Sequence, residues 1–137
     1  MNIMKRKGQE KTYDIVVIGS GSGMRIVENA VATGLSTALV DRGPAGGTCL
    51  NLGCIPSKMM IAVADRIMEI RESERFGITA AVEAVDFSRV MREMRQAVVT
   101  DQHQIHENLH ADLRFDFYEV TGFFEDEQTL AVNDTRV

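Results

Sequence analysis

Hydrophobic positions along the chain alternate between strand-like and helical spacing. Tyr13-Asp14-Ile15-Val16-Val17-Ile18 is a short run rich in β-branched residues and bounded by glycines, which predicts a strand covered on both faces. Gly19-Ser20-Gly21-Ser22-Gly23-Met24 follows, then residues 25–33 with helical character and Gly34 at the C-cap position. Thr37-Ala38-Leu39-Val40 predicts a second strand with Asp41 at its carboxyl end. Strand, glycine loop, helix, strand and acid occur in the order of a first β-α-β unit that binds a dinucleotide.

Further on, Met59, Ile61, Ala62, Ala64, Ile67, Met68 and Ile70 cover most of the circumference of a helix expected over 58–75, which predicts a largely buried helix. Phe76-Gly77-Ile78 ends it. A second long helix should begin near Asp86, whose side chain can cap the first turn. Along it Phe87, Val90, Met91, Met94, Val98, Ile105 and Leu109 recur at helical spacing, opposite Arg89, Arg92, Glu93 and Arg95. Residues 113–120 alternate as a strand, and 121–126 and 129–132 read as two short strands joined by Glu127-Gln128. Phe115, Phe117 and Tyr118 are read as ordinary strand residues, and Met59, Met60, Met68, Met91 and Met94 as core filler.

Composition narrows the class of function. The 137 residues suffice for one modest domain, and 45% hydrophobic with 26% charged residues is ordinary globular usage. A net charge of -5, with Lys and Arg scattered, gives no support for nucleic-acid binding. Residues 1–12 form a basic tail without the apolar segment and small-residue cleavage site of a signal peptide. No continuous run of about 18 apolar residues occurs, so no membrane span is expected.

Candidate chemistry lies in two stretches. In the glycine loop, Gly19 permits a sharp turn and Gly21 lets backbone approach a pyrophosphate at the helix N-terminus; Ser22 lies between Gly21 and Gly23. The position of the usual third glycine is Met24, and Gly23, one residue earlier, can relieve part of the crowding. Asp41 lies where a carboxylate accepts hydrogen bonds from an adenosine ribose, with Arg42 beside it.

The second stretch, Gly46-Gly47-Thr48-Cys49-Leu50-Asn51-Leu52-Gly53-Cys54-Ile55-Pro56-Ser57-Lys58, holds both cysteines. A bridge across so short a loop contributes only about 2 kcal/mol in the chain-entropy view, which argues for redox chemistry rather than reinforcement. Pro56 fits the first turn of a helix, so Cys54 should sit at a helix N-terminus, whose partial positive charge favours a thiolate. Cysteines so close, with no secretion signal, point to a cytoplasmic redox pair. His103, His106 and His110 share one face of the second long helix and are expected to face solvent, with no metal site.

Together the two stretches resemble the class I pyridine nucleotide-disulfide oxidoreductases, which include dihydrolipoamide dehydrogenase and glutathione, mycothione and mercuric reductases. Every fixed position of G-G-T-C-x-N-x-G-C-x-P-S-K, the form of the dihydrolipoamide dehydrogenase branch, is met at 46–58, and 124–130 resembles the F-x-D-x-x-T-[LV] hairpin. The resemblance implies an α/β fold: the first part, residues 13–137, of a discontinuous Rossmann-like FAD-binding domain, with a parallel sheet, a long helical excursion and the start of an antiparallel β-meander.

It also implies roles for individual residues. Cys49 corresponds to the thiol that exchanges with substrate, Cys54 to the thiol against the flavin, and Lys58 to the lysine near the flavin ring. Gly46, Gly47 and Thr48 correspond to residues along the FAD diphosphate and ribityl chain, Asp41 to the ribose carboxylate, and Gly122 to a backbone contact with adenine. A parent protein about three times longer is implied, a homodimer using FAD and NAD(P) with lipoamide as substrate. Its nicotinamide-binding and dimerisation domains would lie outside this chain, leaving the isolated chain a non-catalytic FAD-binding module.

Overall fold

The computed structural model describes residues 9–133 and 135–137, so residues 1–8 of the basic tail lie outside the described residues. In chain order the elements are β1 (Gln9–Glu10), β2 (Ile15–Ile18), α1 (Met24–Ala32), β3 (Thr37–Val40), α2 (Gly47–Leu52), α3 (Cys54–Arg71), a 3-10 turn (Ser73–Phe76), α4 (Phe87–Ala111), β4 (Asp116–Tyr118), β5 (Phe123–Phe124), β6 (Leu130–Val132) and β7 (Thr135–Arg136). The described residues divide into two compact units, one formed by those up to residue 47 together with those from 105 onward, the other by residues 48–104.

The first unit is built on a parallel sheet in the order β2-β3-β4, with Val17 opposite Leu39 and Leu39 opposite Phe117. Because side chains alternate across a strand, that row points to one side. There Val17 and Leu39 pack with Val27 of α1, Leu109 of α4, Ala45 and Phe115, with Phe117 at the edge of the cluster. On the opposite face Val16, Val40 and Tyr118 pack against Leu130 and Val132 of β6. β6 belongs to a second sheet, β1-β7-β6-β5, in which only the β1–β7 pair is parallel. Both faces of the parallel sheet are thus covered, as the β-branched run predicts, although Ile18 at the strand end is 57% exposed.

Local signals account for the boundaries. Gly34, at φ 79°, ends α1 with the Leu35 N–H donating to the Ala30 carbonyl at 3.0 Å, a left-handed C-cap that glycine adopts without strain. Asp126 Oδ1 accepts the Gln128 N–H at 2.8 Å and closes the β5–β6 turn. Two expectations are corrected. The alternating stretch 113–120 pairs only over Asp116–Tyr118, because Phe115 is buried ahead of the strand and Leu113 is 94% exposed. The end of the basic tail is also structured: Gln9–Glu10 pairs with Thr135–Arg136, a strand too short to show a period in sequence.

The second unit is helical. Asp86 Oδ1 accepts the Arg89 N–H at 2.9 Å and caps α4, as its residue type suggests. Met94 and Val98 of the predicted apolar face are buried, while Phe87 at its start is 59% exposed. α3 differs more. It spans Cys54–Arg71 rather than 58–75, and none of its residues is buried. Its apolar residues encircle the axis, so no single face could be covered by one neighbour. Met60 and Met68 are accordingly exposed and do not fill a core. The helical stretch Gly47–Arg71 also reaches the length and mean hydropathy of a membrane-crossing helix, on those two measures only. Asp65 and Arg66 lie within it, and Gly53 interrupts its geometry at φ −127°, ψ −109°.

A polar cluster fixes the edge of the parallel sheet. Asp116 on β4 accepts hydrogen bonds from Lys11 Nζ at 2.9 Å and from the Tyr13 hydroxyl, which also lies 2.6 Å from the Tyr118 hydroxyl. Tyr13 and Lys11 hold the Asp116 carboxyl below the usual carboxylate range. A carboxyl whose folded pKa is depressed adds stability above its unfolded pKa, and that stability is lost as pH falls through the folded value. Asp116→Asn should therefore flatten the acid side of the stability profile. Thermal melts below about pH 4 should show a smaller loss of melting temperature with acidification in the variant than in the parent chain.

Candidate functional site

In the first unit the glycine loop joins β2 to α1. The Gly19 N–H donates to the Val40 carbonyl at 2.8 Å, which ties the loop to β3. The Ser20 N–H donates to Asp41 Oδ2 at 2.6 Å, and the Gly43 N–H donates to Asp41 Oδ1 at 2.9 Å. Burial pushes the Asp41 carboxyl up, but hydrogen bonds from Ser20 and Gly43 outweigh it and leave its pKa below the usual carboxylate range. Asp41, expected to face a ribose, thus also holds the loop in shape. Ser20 adds a second link: its hydroxyl accepts the Gly46 N–H at 3.0 Å, and its side chain is buried. Sequence reasoning passed over Ser20 for Ser22, although a serine between two loop glycines was a visible signal.

Backbone packing explains the glycines. A Cβ on Gly23 would lie 2.7 Å from Val17 Cγ1 and 2.9 Å from the Gly19 carbonyl oxygen. Gly23 therefore provides the close helix-to-strand contact, and Met24 at the third-glycine position packs against the core beside Val17 and Val27. A Cβ on Gly47, at φ 66°, would lie 2.5 Å from Gly21 Cα and 3.0 Å from its nitrogen. The second glycine of the loop and the second glycine of the cysteine motif are thus in direct backbone contact.

Among the described residues, the N–H groups of Gly21, Ser22 and Gly23 donate no hydrogen bond within the chain. Three such donors at the start of α1, a helix of nine residues, suit a diphosphate. A cavity of about 440 Å³ opens beside the loop, its lining including Ser20, Gly21, Gly46, Met24, Val31 and Ile105. Neither Asp41 nor Ser22 lines it. Arg42 is exposed, and Gly122 lies ahead of β5 with space for a Cβ limited by Leu130, 3.0 Å away.

In the second unit Thr48 and Cys49 lie in α2, and Cys54 is the first residue of α3. Gly53 lets the two helices meet, since a Cβ there would lie 3.1 Å from the Thr48 carbonyl oxygen. Pro56 falls in the first turn of α3, where its missing N–H breaks no helical bond. The Ser57 hydroxyl donates to the Cys54 carbonyl at 3.1 Å, and Asn51 Oδ1 accepts from Gln102 Nε2 on α4. Both cysteines are free and exposed.

The helix N-terminus does not leave Cys54 a ready thiolate. A hydrogen bond and charge interaction with Cys49 push the Cys54 thiol above the ordinary range, against smaller lowering by its own backbone N–H and by Lys58. A neighbouring sulfur within hydrogen-bonding reach competes directly for the proton, whereas the helix terminus acts as a partial charge. This corrects the expectation of a favoured Cys54 thiolate.

Two measurements follow from this geometry. Gly47→Ala and Gly34→Ala place alanine at similar positive φ, a strain of about 1–2 kcal/mol, but only Gly47 has backbone in the way. Gly47→Ala should lower the melting temperature clearly more than Gly34→Ala. Cys49→Ala removes the partner that raises Cys54, so the pH midpoint for alkylation of Cys54 should move down in that variant.

Comparison with known proteins matches this arrangement. Over 81 residues the chain is 42% identical to mycothione reductase of Mycobacterium tuberculosis, covering 59% of this chain and 17% of that protein. Over 88 residues it is 40% identical to dihydrolipoyl dehydrogenase of Bacillus subtilis, covering 64% of this chain and 18% of that protein. A solved structure, the Cu(II) complex of the HOCl-induced flavoprotein disulfide reductase RclA from Escherichia coli, superposes with a TM-score of 0.66 at 25% identity, over 85% of this chain and 24% of that one. The chain thus spans about a fifth of the length of the curated relatives it matches. A family model described as pyridine nucleotide-disulphide oxidoreductase matches residues 13–136, and with both the loop and the cysteine motif inside that span, the chain belongs to this family of FAD-dependent enzymes.

Proposed function

We propose that this chain is the FAD-cradling and redox-disulfide part of a disulfide oxidoreductase, with dihydrolipoamide as the substrate class of the whole protein and NAD as its electron acceptor. The observation that carries the reading is the backbone contact of Gly21 with Gly47, which seats the cysteine motif's leading glycines against the phosphate loop. Gly19, Gly21, Ser22, Gly23, Gly46, Gly47 and Thr48 would hold the diphosphate and ribityl portion of FAD, and Asp41, Arg42 and Gly122 the adenosine portion. FAD, when bound, supplies a two-electron carrier that thiols alone lack.

The chain's own residues carry the sulfur chemistry. In the oxidised form Cys49 and Cys54 share a disulfide. A substrate thiolate attacks the Cys49 sulfur, forms a mixed disulfide and releases Cys54 as a thiolate. The second substrate thiolate then displaces Cys49. The substrate leaves as a disulfide, and two electrons remain on Cys49 and Cys54. Protons released from the substrate thiols return to the cysteine sulfurs. Lys58, four residues after Cys54 on α3, stabilises negative charge at the thiol end of the relay.

The apolar circumference of α3 supports a place within a larger homodimeric protein, in which further chain covers it. The reading places that protein in a reducing, cytoplasmic compartment, with neither nucleic acid nor membrane as a partner. The G-C-I-P-S-K form of the motif favours lipoamide, while the equal standing of mycothione reductase among the relatives supports a disulfide reductase as the second reading.

FAD titrated into the chain should bind with quenched flavin fluorescence, and Gly47→Ala should abolish binding; fluorescence unaffected by the chain rejects the cradle. A protein carrying this chain at the length of its relatives should oxidise dihydrolipoamide with NAD. Turnover only with low-molecular-weight disulfides would transfer the assignment to the second reading.

A further inference from the structure

Within the first unit, the end of α4 and the residue after β4 bring together three side chains that the redox reading does not use. His106 and His110 are one helical turn apart and present their rings on one side of α4. Glu119 meets both. His106 Nε2 lies 3.0 and 3.1 Å from the two Glu119 oxygens, and His110 Nε2 lies 3.2 Å from Oε2. One ligand atom from each residue falls within 4.8 Å of the others. The two imidazoles are 4.5 Å apart, and Phe117 holds His110 edge-on at 5.0 Å.

We propose that His106, His110 and Glu119 form a binding site for a divalent transition-metal ion of the zinc type. Zinc bonds nitrogen and carboxylate oxygen at about 2.0–2.2 Å in tetrahedral geometry, which puts neighbouring ligand atoms about 3.3–3.6 Å apart. The present N···O separations of 3.0–3.2 Å need widen only a few tenths of an ångström. Two imidazoles and one carboxylate suit zinc and its neighbours among the later first-row metals. Calcium and magnesium, which take shells of oxygen, are poorly served.

Exposure supports entry and exchange. The three side chains are 42%, 49% and 44% accessible, so solvent supplies the remaining ligand positions. The ion would fasten the last turns of α4 to the end of β4. That strand end is already joined to the loop region, since the Asp41 N–H donates to the Tyr118 carbonyl at 3.0 Å. The sequence reading takes the three histidines as a solvated helix face; Glu119, which completes the set, lies beyond β4, nine residues after His110.

The competing arrangement is a hydrogen-bond cluster in which each neutral imidazole donates one proton to Glu119. The test uses the full chain with Cys49→Ser and Cys54→Ser, so that thiols do not capture the ion. Zinc chloride is titrated in competition with a chromophoric chelator. One equivalent should bind, and its affinity should fall at least about tenfold, the scale on which loss of even an outer-sphere partner acts, in His110→Ala and in Glu119→Gln. Glu119→Gln retains an oxygen acceptor for the imidazoles, so weaker zinc binding with unchanged circular dichroism assigns the loss to the metal ligand. In the histidine-containing parent, zinc should shift the Nε2 resonances of His106 and His110 together. Absence of binding, affinity unchanged in both variants, or shifts confined to other residues would leave a hydrogen-bond cluster alone and overturn the site.

Discussion

The contact between Gly21 and Gly47 is the constraint on which the candidate FAD cradle depends. A backbone pair with room for no Cβ on Gly47 can form only if two distant loops arrive together. Ser20 and Asp41 make that arrival specific. Ser20 N–H and Gly43 N–H occupy both Asp41 oxygens, and the Ser20 hydroxyl receives Gly46 N–H. The phosphate loop, the turn after β3 and the start of the cysteine motif are therefore one hydrogen-bonded assembly. Buried polar groups satisfied in this way give a loop its shape, because leaving any member unpaired costs about 1–3 kcal/mol.

The parallel sheet supplies the platform for that assembly. Its two faces use alternate residues of the same strands: Val17, Leu39 and Phe117 for one cluster, and Val16, Val40 and Tyr118 for the other. A one-residue slip would exchange these sets and carry Asp41 away from the loop. Packing and chemistry are thus coupled through register. The second unit follows another logic. There the cysteines are positioned by a helix junction at Gly53, and Cys49 pushes the Cys54 thiol up against smaller lowering by its backbone N–H and by Lys58.

Much of the site was legible because its residue types carry local constraints. Gly23 next to Met24 already hinted at which residue would take the close helix contact, and Asp86 and Gly34 marked helix ends through capping chemistry that acts within a few residues. Other features depend on partners far away in the chain. Ser20 acquires meaning only beside Asp41 and Gly46, 21 and 26 residues on. His106 and His110 acquire it only beside Glu119. α3 was misjudged for a related reason: apolar composition states what a helix can bury, and only the neighbours actually present determine what it does bury.

By itself the sequence determined the β-α-β order, the glycine loop, the paired cysteines and the family to which they point, since periodicity and φ preferences are properties of short segments. Tertiary structure decided which glycines touch, that Asp41 braces the loop, and that two histidines meet a glutamate. Those outcomes rest on distances between residues remote in the chain, and such distances exist only once the sheet register and the helix packing are set.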